Sequence, residues 1–207
     1  AGLSSSTALS LHFARQSAKN PDFSPQFAAG ILIACGTMFP RILVYCLVIN
    51  KALLPSLIWP VAMMTTLLYV PALIIWRRNA RQLQVSQPTM NQNPLDLSSA
   101  LVFGFLLTAI LLLGEFLKNA FGDVGIYALA ATSGVADVDA ITLSLTRMSN
   151  DGLGMDAAVL GIVIAAAVNN LVKSGIAWSI GNRQTGLLVA GPMVLSLAAG
   201  LLVAWLQ

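Results

Sequence analysis

Two aspartates, Asp137 and Asp139, lie two residues apart inside the largely apolar run Val124–Met148. Asn169, Asn170 and Lys173 interrupt a second apolar run, Asp156–Ile180. A polar group in hydrocarbon costs free energy unless it faces a partner or a cavity. Two carboxylates and two amide oxygens make a hard donor set. It suits Mg²⁺, Ca²⁺ or Na⁺ better than a soft metal, with Asp137 and Asp139 as the candidate metal contacts. Lys173 stacks one turn after Asn169. The start of the chain carries a softer version of this layout: Ser5, Ser6 and Thr7, then Thr37 with Arg41 one turn later. Arg41 and Lys173 would tune the charge of the layer, or pair with the carboxylates when no ion is bound. A structural account uses the same residues. An aspartate caps a half-helix, Lys173 or Arg41 neutralises it, and Asn169–Asn170 join helices by hydrogen bonds.

The elements that must hold this layer are membrane helices. Hydrophobic residues make up 57% of the 207 and charged residues 9%, with a net charge of +3. About a quarter of a soluble domain is charged. That deficit excludes a soluble enzyme, a nucleic-acid-binding domain and a disordered tail. A spanning helix needs about 20 mostly apolar residues. Pro25–Ile49, Leu54–Trp76, Leu97–Phe116 and Gly186–Leu206 meet this directly, and Val124–Met148 and Asp156–Ile180 meet it with polar interruptions. At 1.5 Å per residue, Asp139 stands roughly 16 Å from Asn150, and Asn169 roughly 20 Å from Asp156. Asp137, Asp139, Asn169 and Asn170 are thus expected near one midplane level. A helix break is expected at Ser133-Gly134, with Asp137 or Asp139 capping the half-helix after it. The fold class is an all-α polytopic membrane protein of about six spans plus a partial one.

Sliding the chain by 132 residues brings rare residues together. Arg15 meets Arg147, Arg41 meets Lys173, Asn50 meets Asn182, Lys51 meets Arg183 and Pro60 meets Pro192. This register predicts tandem repeats over 1–76 and 97–207, joined by a polar linker, 77–96. In it, Leu97–Phe116 and Val124–Thr132 have no partner in the first half. Their counterparts are expected upstream of Ala1, which lacks an initiator Met and reads as an internal point of a longer chain. If every segment spans, the repeats are parallel; one miscounted span makes them inverted. The base-rich Arg77–Arg81 loop is expected to be cytoplasmic. Counting spans from it puts Arg15, Lys19, Arg147 and the C-terminus on the same side, and Lys51, Lys118 and Arg183 on the other.

Cys35 and Cys46, eleven residues apart on one helix, cannot bridge and read as buried apolar residues. Trp59, Trp76 and Trp205 read as interfacial anchors, Glu115, at a helix end near Lys118, as an interfacial residue, and His12 as a packing residue. No nucleotide-binding, zinc-protease or nucleophile-elbow motif occurs. Aspartates two apart on one helix cannot face each other as a protease dyad. An enzyme is not expected.

Gly2-Leu3-Ser4-Ser5-Ser6-Thr7-Ala8 with Ala14-Arg15, and Gly134-Val135-Ala136-Asp137-Val138-Asp139-Ala140-Ile141-Thr142 with Asn169 and Lys173, resemble motifs of an uncharacterised bacterial membrane domain. That domain usually follows an MgtC/SapB-type domain in the same polypeptide. The resemblance implies a bacterial inner-membrane protein whose partners are the bilayer and that upstream domain. It implies no activity. The residues themselves favour transport or permeation of a small ion, a cation such as Mg²⁺ foremost. The alternatives are a non-transporting regulatory or scaffold subunit, and a flippase or transporter for an anionic lipid or solute. No cofactor and no nucleic acid is expected, and a homo-oligomer stays open.

Overall fold

The computed structural model describes residues 6–79 and 97–206, the side chains of 97–104 and 106 excepted. The described residues are helical, with no strand among them. The helices are α1 (Ser6–Lys19), α2 (Ser24–Gly36), α3 (Met38–Ile49), α4 (Leu54–Asn79), α5 (Leu97–Phe121), α6 (Asp123–Ala136), α7 (Asp139–Met148), α8 (Met155–Ile180) and α9 (Arg183–Trp205). Four helical stretches among the described residues are long and apolar enough to cross a membrane: Pro21–Ile49, Lys51–Asn79, Met155–Ile180 and Arg183–Trp205. Many large apolar side chains face outward, among them Val48, Val70 and Leu187, with Trp59, Trp76 and Trp205 also exposed. The protein is therefore an all-helical membrane protein. Of the expected linker, residues through Asn79 belong to α4; residues 80–96 lie outside the described residues.

Local chemistry explains the element ends. Asn50 and Asn182 each accept a backbone N–H two residues on, from Ala52 at 3.1 Å and Gln184 at 3.0 Å, and so start the next helical segment. The α2–α3 span is interrupted at Thr37. Pro40 has no N–H for the Gly36 carbonyl four residues back, which kinks a helix. Gly122, at φ 60°, makes the reversal from α5 into α6, a conformation that favours glycine.

Val124–Met148 does not span. It forms a helical hairpin, α6 in and α7 back out, turning at Asp137-Val138. Both arms lie against the same stretch of α8: a Cβ on Gly161 would meet Leu145 of α7 at 2.8 Å and Ile126 of α6 at 3.6 Å. Both arms also return to the C-terminal end of α5. Gly125 stands against Leu117, Gly114 against Met148, and Lys118 donates to the Gly152 carbonyl at 2.5 Å. At 1.5 Å per residue, arms of 14 and 10 residues reach roughly 21 and 15 Å, each about half a hydrocarbon layer.

The break also falls three residues later than expected. Ser133 and Gly134 stay helical. Gly134 serves close packing instead: a Cβ there would stand 2.5 Å from the Ala165 carbonyl oxygen of α8.

Because the hairpin does not cross, everything after it changes ends. Asn50 donates to Ser149 at 2.8 Å and Asn150 donates to the Ile49 carbonyl, so Lys51, Arg147 and the α5–α6 turn share one end of the bundle. At the other end, the Asn182 N–H donates to Ser17, Thr185 donates to the Ser24 carbonyl, and Gln26 reaches the Asn79 carbonyl. Arg183 therefore lies with Arg77 and Arg78, while Arg147 and the C-terminal Trp205 lie at the opposite end. The expected shared side for the Arg77–Arg81 loop and the C-terminus is thus corrected. Across the bundle, α8 runs antiparallel to α2–α3, and α9 antiparallel to α4.

Impermeant maleimide labelling checks this arrangement. Asp123→Cys and Asp151→Cys, made in a Cys35→Ala/Cys46→Ala background, are expected to label from one side of the membrane. Asn79→Cys is expected to label from the other. Labelling of Asp123→Cys and Asp151→Cys from opposite sides would mean that α6–α7 crosses.

Candidate functional site

The hairpin places Asp139 as the first residue of α7, at the positive end of the helix dipole. Across from it, Arg41 on α3 donates to Asp139 Oδ2 and forms an ion pair, the side chains 28% and 17% exposed. Asp137, at the turn, accepts a long hydrogen bond from the Ala140 N–H at 3.4 Å and so caps α7 weakly. The carboxylates therefore divide their roles: Asp139 bridges to another helix and Asp137 holds its own.

Lys173 is 2% exposed and donates to Ser6 Oγ at 2.6 Å, at the start of α1. An ammonium in so dry a place needs such a polar partner. Asn169, also buried, donates to the Gly134 carbonyl at 2.8 Å and fastens the inner end of α6 to α8. Asn170 is fully buried, yet neither its Oδ1 nor its Nδ2 has a hydrogen-bond partner among the described residues. The same holds for Thr142 Oγ1 and Asp139 Oδ1. Thr142 follows Asp139 by three residues, so the two share a face of α7.

The structure thus brings Asp137, Asp139 and Arg41 together at the hairpin tip, and Ser6, Lys173, Asn169 and Asn170 along α8 beside it. Two expected members stand apart. Thr7 is exposed, and Thr37 turns its hydroxyl onto its own helix, donating to the Ala34 carbonyl at 2.7 Å. Ser5 lies outside the described residues. The ion pair uses Arg41, while Lys173 takes a serine hydroxyl. Among the described residues no group of three or more His, Cys, Asp or Glu comes together, so a metal contact by Asp137 and Asp139 would need oxygen from other residue types.

Sequence reasoning missed Thr142, which resembles an ordinary helix residue. Its signal is register: Thr142 matches Ser10 at the 132-residue offset. Ser10 is buried against Cys35, with Oγ and Sγ 3.6 Å apart. Cys35 and Cys46 are both free and buried, as expected. A cavity of about 310 Å³ opens beside the ion pair, walled by Thr37, Pro40, Arg41, Val44, Tyr45 and Tyr69. It offers access to the Arg41 side of the layer.

These features define an all-helical membrane domain with a charged layer at the tip of a helical hairpin. Residues 1–181 match a family model described as a domain of unknown function, DUF4010. The chain belongs to that family. It is 34% identical over 184 residues to an uncharacterised protein of Aquifex aeolicus (strain VF5), covering 88% of this chain and 80% of that protein. No solved structure matches it.

Removing one member of a buried ion pair strands the other and costs up to about 3–5 kcal/mol, less for a pair that is partly exposed as this one is. Arg41→Gln is expected to lower the melting temperature in detergent markedly, and Arg41→Gln/Asp139→Asn to recover most of the loss. Additive losses in this double-mutant cycle would show that the pair is not coupled.

Proposed function

We propose that this domain carries a small ion across a bacterial inner membrane, a hard cation foremost, through the layer at the α6–α7 tip. The observation behind the reading is the set of buried oxygens without donors: Asp139 Oδ1, Thr142 Oγ1 and Asn170 Oδ1. Buried polar groups are nearly always satisfied, and orphans mark places where water or an ion is taken up. A cation at the tip would draw Asp139 away from Arg41. Arg41 then serves as the resident counter-charge that closes the site when the ion leaves. The domain is read as a carrier or channel, with no enzymatic step.

We read the chain as two inverted repeats about an axis in the membrane plane, a plan suited to transporters. Contacts that exchange partners at the 132-residue offset support this. Ser17 meets Asn182 while Ser149 meets Asn50. Arg41 meets Asp139 while Lys173 meets Ser6, beside the counterpart of Asp139. Ser196 donates to the carbonyl of Met64, its own counterpart, at 3.1 Å, as expected of residues near the axis. On this reading α1 is the outward arm of a second hairpin. The basic end, with Arg15, Lys19, Arg77, Arg78 and Arg183, is cytoplasmic. The opposite end holds Lys51, Lys118 and Arg147 with Glu115, Asp123, Asp151 and Asp156. An upstream MgtC/SapB-type domain is kept as the proposed partner.

A second reading takes an anion at Arg41, favoured by the hydroxyl-bearing cavity of Thr37, Tyr45 and Tyr69 beside it. Ion flux into proteoliposomes, measured across Na⁺, K⁺, Mg²⁺, Ca²⁺, phosphate and chloride, separates the two. Cation transport is expected to fall at least about tenfold in Asp137→Asn/Asp139→Asn. Anion flux lost in Arg41→Gln but kept in Asp139→Asn would favour the second reading. Unchanged flux in the double aspartate variant would refute the first.

A further inference from the structure

A larger cavity, about 480 Å³, lies at the opposite end of α7 from this layer, between the C-terminal ends of α5 and α7. It is of a size that takes small ligands. Its walls carry Glu115, Lys118, Asn119, Arg147 and Asp151, with Leu111 and Leu112 on one side. Two acids and two bases face one space, yet among the described residues no ion pair joins any of them to an opposite charge. Lys118 is held in place by its bond to the Gly152 carbonyl. Glu115, Arg147 and Asp151 are exposed, and so are the neighbouring apolar side chains Leu112, Phe116 and Phe121. The cavity stands at the end of the membrane-spanning bundle, where charged and apolar surfaces meet.

We propose that this cavity binds the headgroup of a zwitterionic phospholipid bearing a primary ammonium. The guanidinium of Arg147 and the ammonium of Lys118 match a phosphate, Arg147 with two donors in a fork. Glu115 and Asp151 match an ammonium that has N–H groups to donate. Leu112 and Phe116 offer the acyl chains a path along α5. An anionic headgroup would satisfy the bases and leave both carboxylates unpaired. A quaternary ammonium would bring charge without N–H donors. This site is independent of the ion layer and does not rest on the transport reading.

The test is thermal stability of the purified full chain in detergent, with phosphatidylethanolamine, phosphatidylcholine and phosphatidylglycerol of identical short chains. Phosphorylethanolamine and inorganic phosphate serve as soluble controls. Phosphatidylethanolamine is expected to raise the melting temperature several degrees more than the other lipids, and the soluble compounds to do little at the same concentration. Arg147→Gln should abolish the rise for all three lipids. Glu115→Gln/Asp151→Asn should keep a response to phosphatidylglycerol and lose the preference for phosphatidylethanolamine. If either variant melts too low to read, lipid retention in native mass spectrometry reports the same preference. Equal shifts from all three lipids in the unaltered protein would overturn the proposal. So would a preference that survives Glu115→Gln/Asp151→Asn, or an equal effect from phosphorylethanolamine.

Discussion

The rest of the structure depends on the bridge between Arg41 and Asp139. Two unit charges attract far more strongly in a low-dielectric interior than in water, and an isolated one is far more costly there. Asp139 begins a helix that starts inside the bundle, and its side chain is only 17% exposed. Arg41 supplies the missing charge from α3, a helix nearly a hundred residues away in sequence. That contact ties the hairpin tip to α3, while Asn50–Ser149 and Cys46–Thr146 hold the other end of α7 against the same helix. The bond from Asn169 to the Gly134 carbonyl performs the matching task for α6. The hairpin is pinned from both arms, although α6 and α7 themselves scarcely touch.

Much of this was legible in the sequence, because burying charge in an apolar chain leaves so few options. The membrane class follows from the shortage of charged residues. The layer follows from charged and amide residues placed deep within apolar runs, and the segment starts at Asn50 and Asn182 follow from their capping chemistry. The turn of the chain was not legible. Arms of 14 and 10 residues with a two-residue turn have the length of the 26-residue α8, so length and composition cannot tell a doubled-back hairpin from a span. Gly134 misled for a related reason. A glycine reads equally as a break or as a place where two backbones approach, and here it is the second. The choice of Arg41 over Lys173 as the partner of Asp139 depends on which helix faces the tip, a long-range fact with no local signature.

Counting the hairpin as a non-crossing element reverses the direction of α8 and α9 relative to α2–α3 and α4. Five bases and one acid, Asp22, then gather at one end of the described bundle, while four acids offset the three bases at the other. The split of bases, five against three, is the same as when every segment spans, because Arg183 and Arg147 exchange ends; what changes is that Asp151 and Asp156 join the less basic end. The hairpin therefore leaves the distribution of bases as it was and widens only the difference in net charge between the two ends.

The orphaned oxygens of Asp139, Thr142 and Asn170 carry the functional account, and ligand-dependent stability tests them most directly. A ligand that binds only the folded protein at a hundred times its dissociation constant adds roughly 2.7 kcal/mol of stability. Thermal unfolding of the purified chain would be followed in Na⁺, K⁺, Mg²⁺, Ca²⁺ and Mn²⁺, for the unaltered protein and for Asn170→Leu, which removes buried amide atoms without touching a charge. The account predicts a rise specific to one cation in the unaltered protein and its loss in Asn170→Leu. No cation-specific rise, with Asn170→Leu melting at or above the unaltered protein, would contradict it and leave the layer a structural brace.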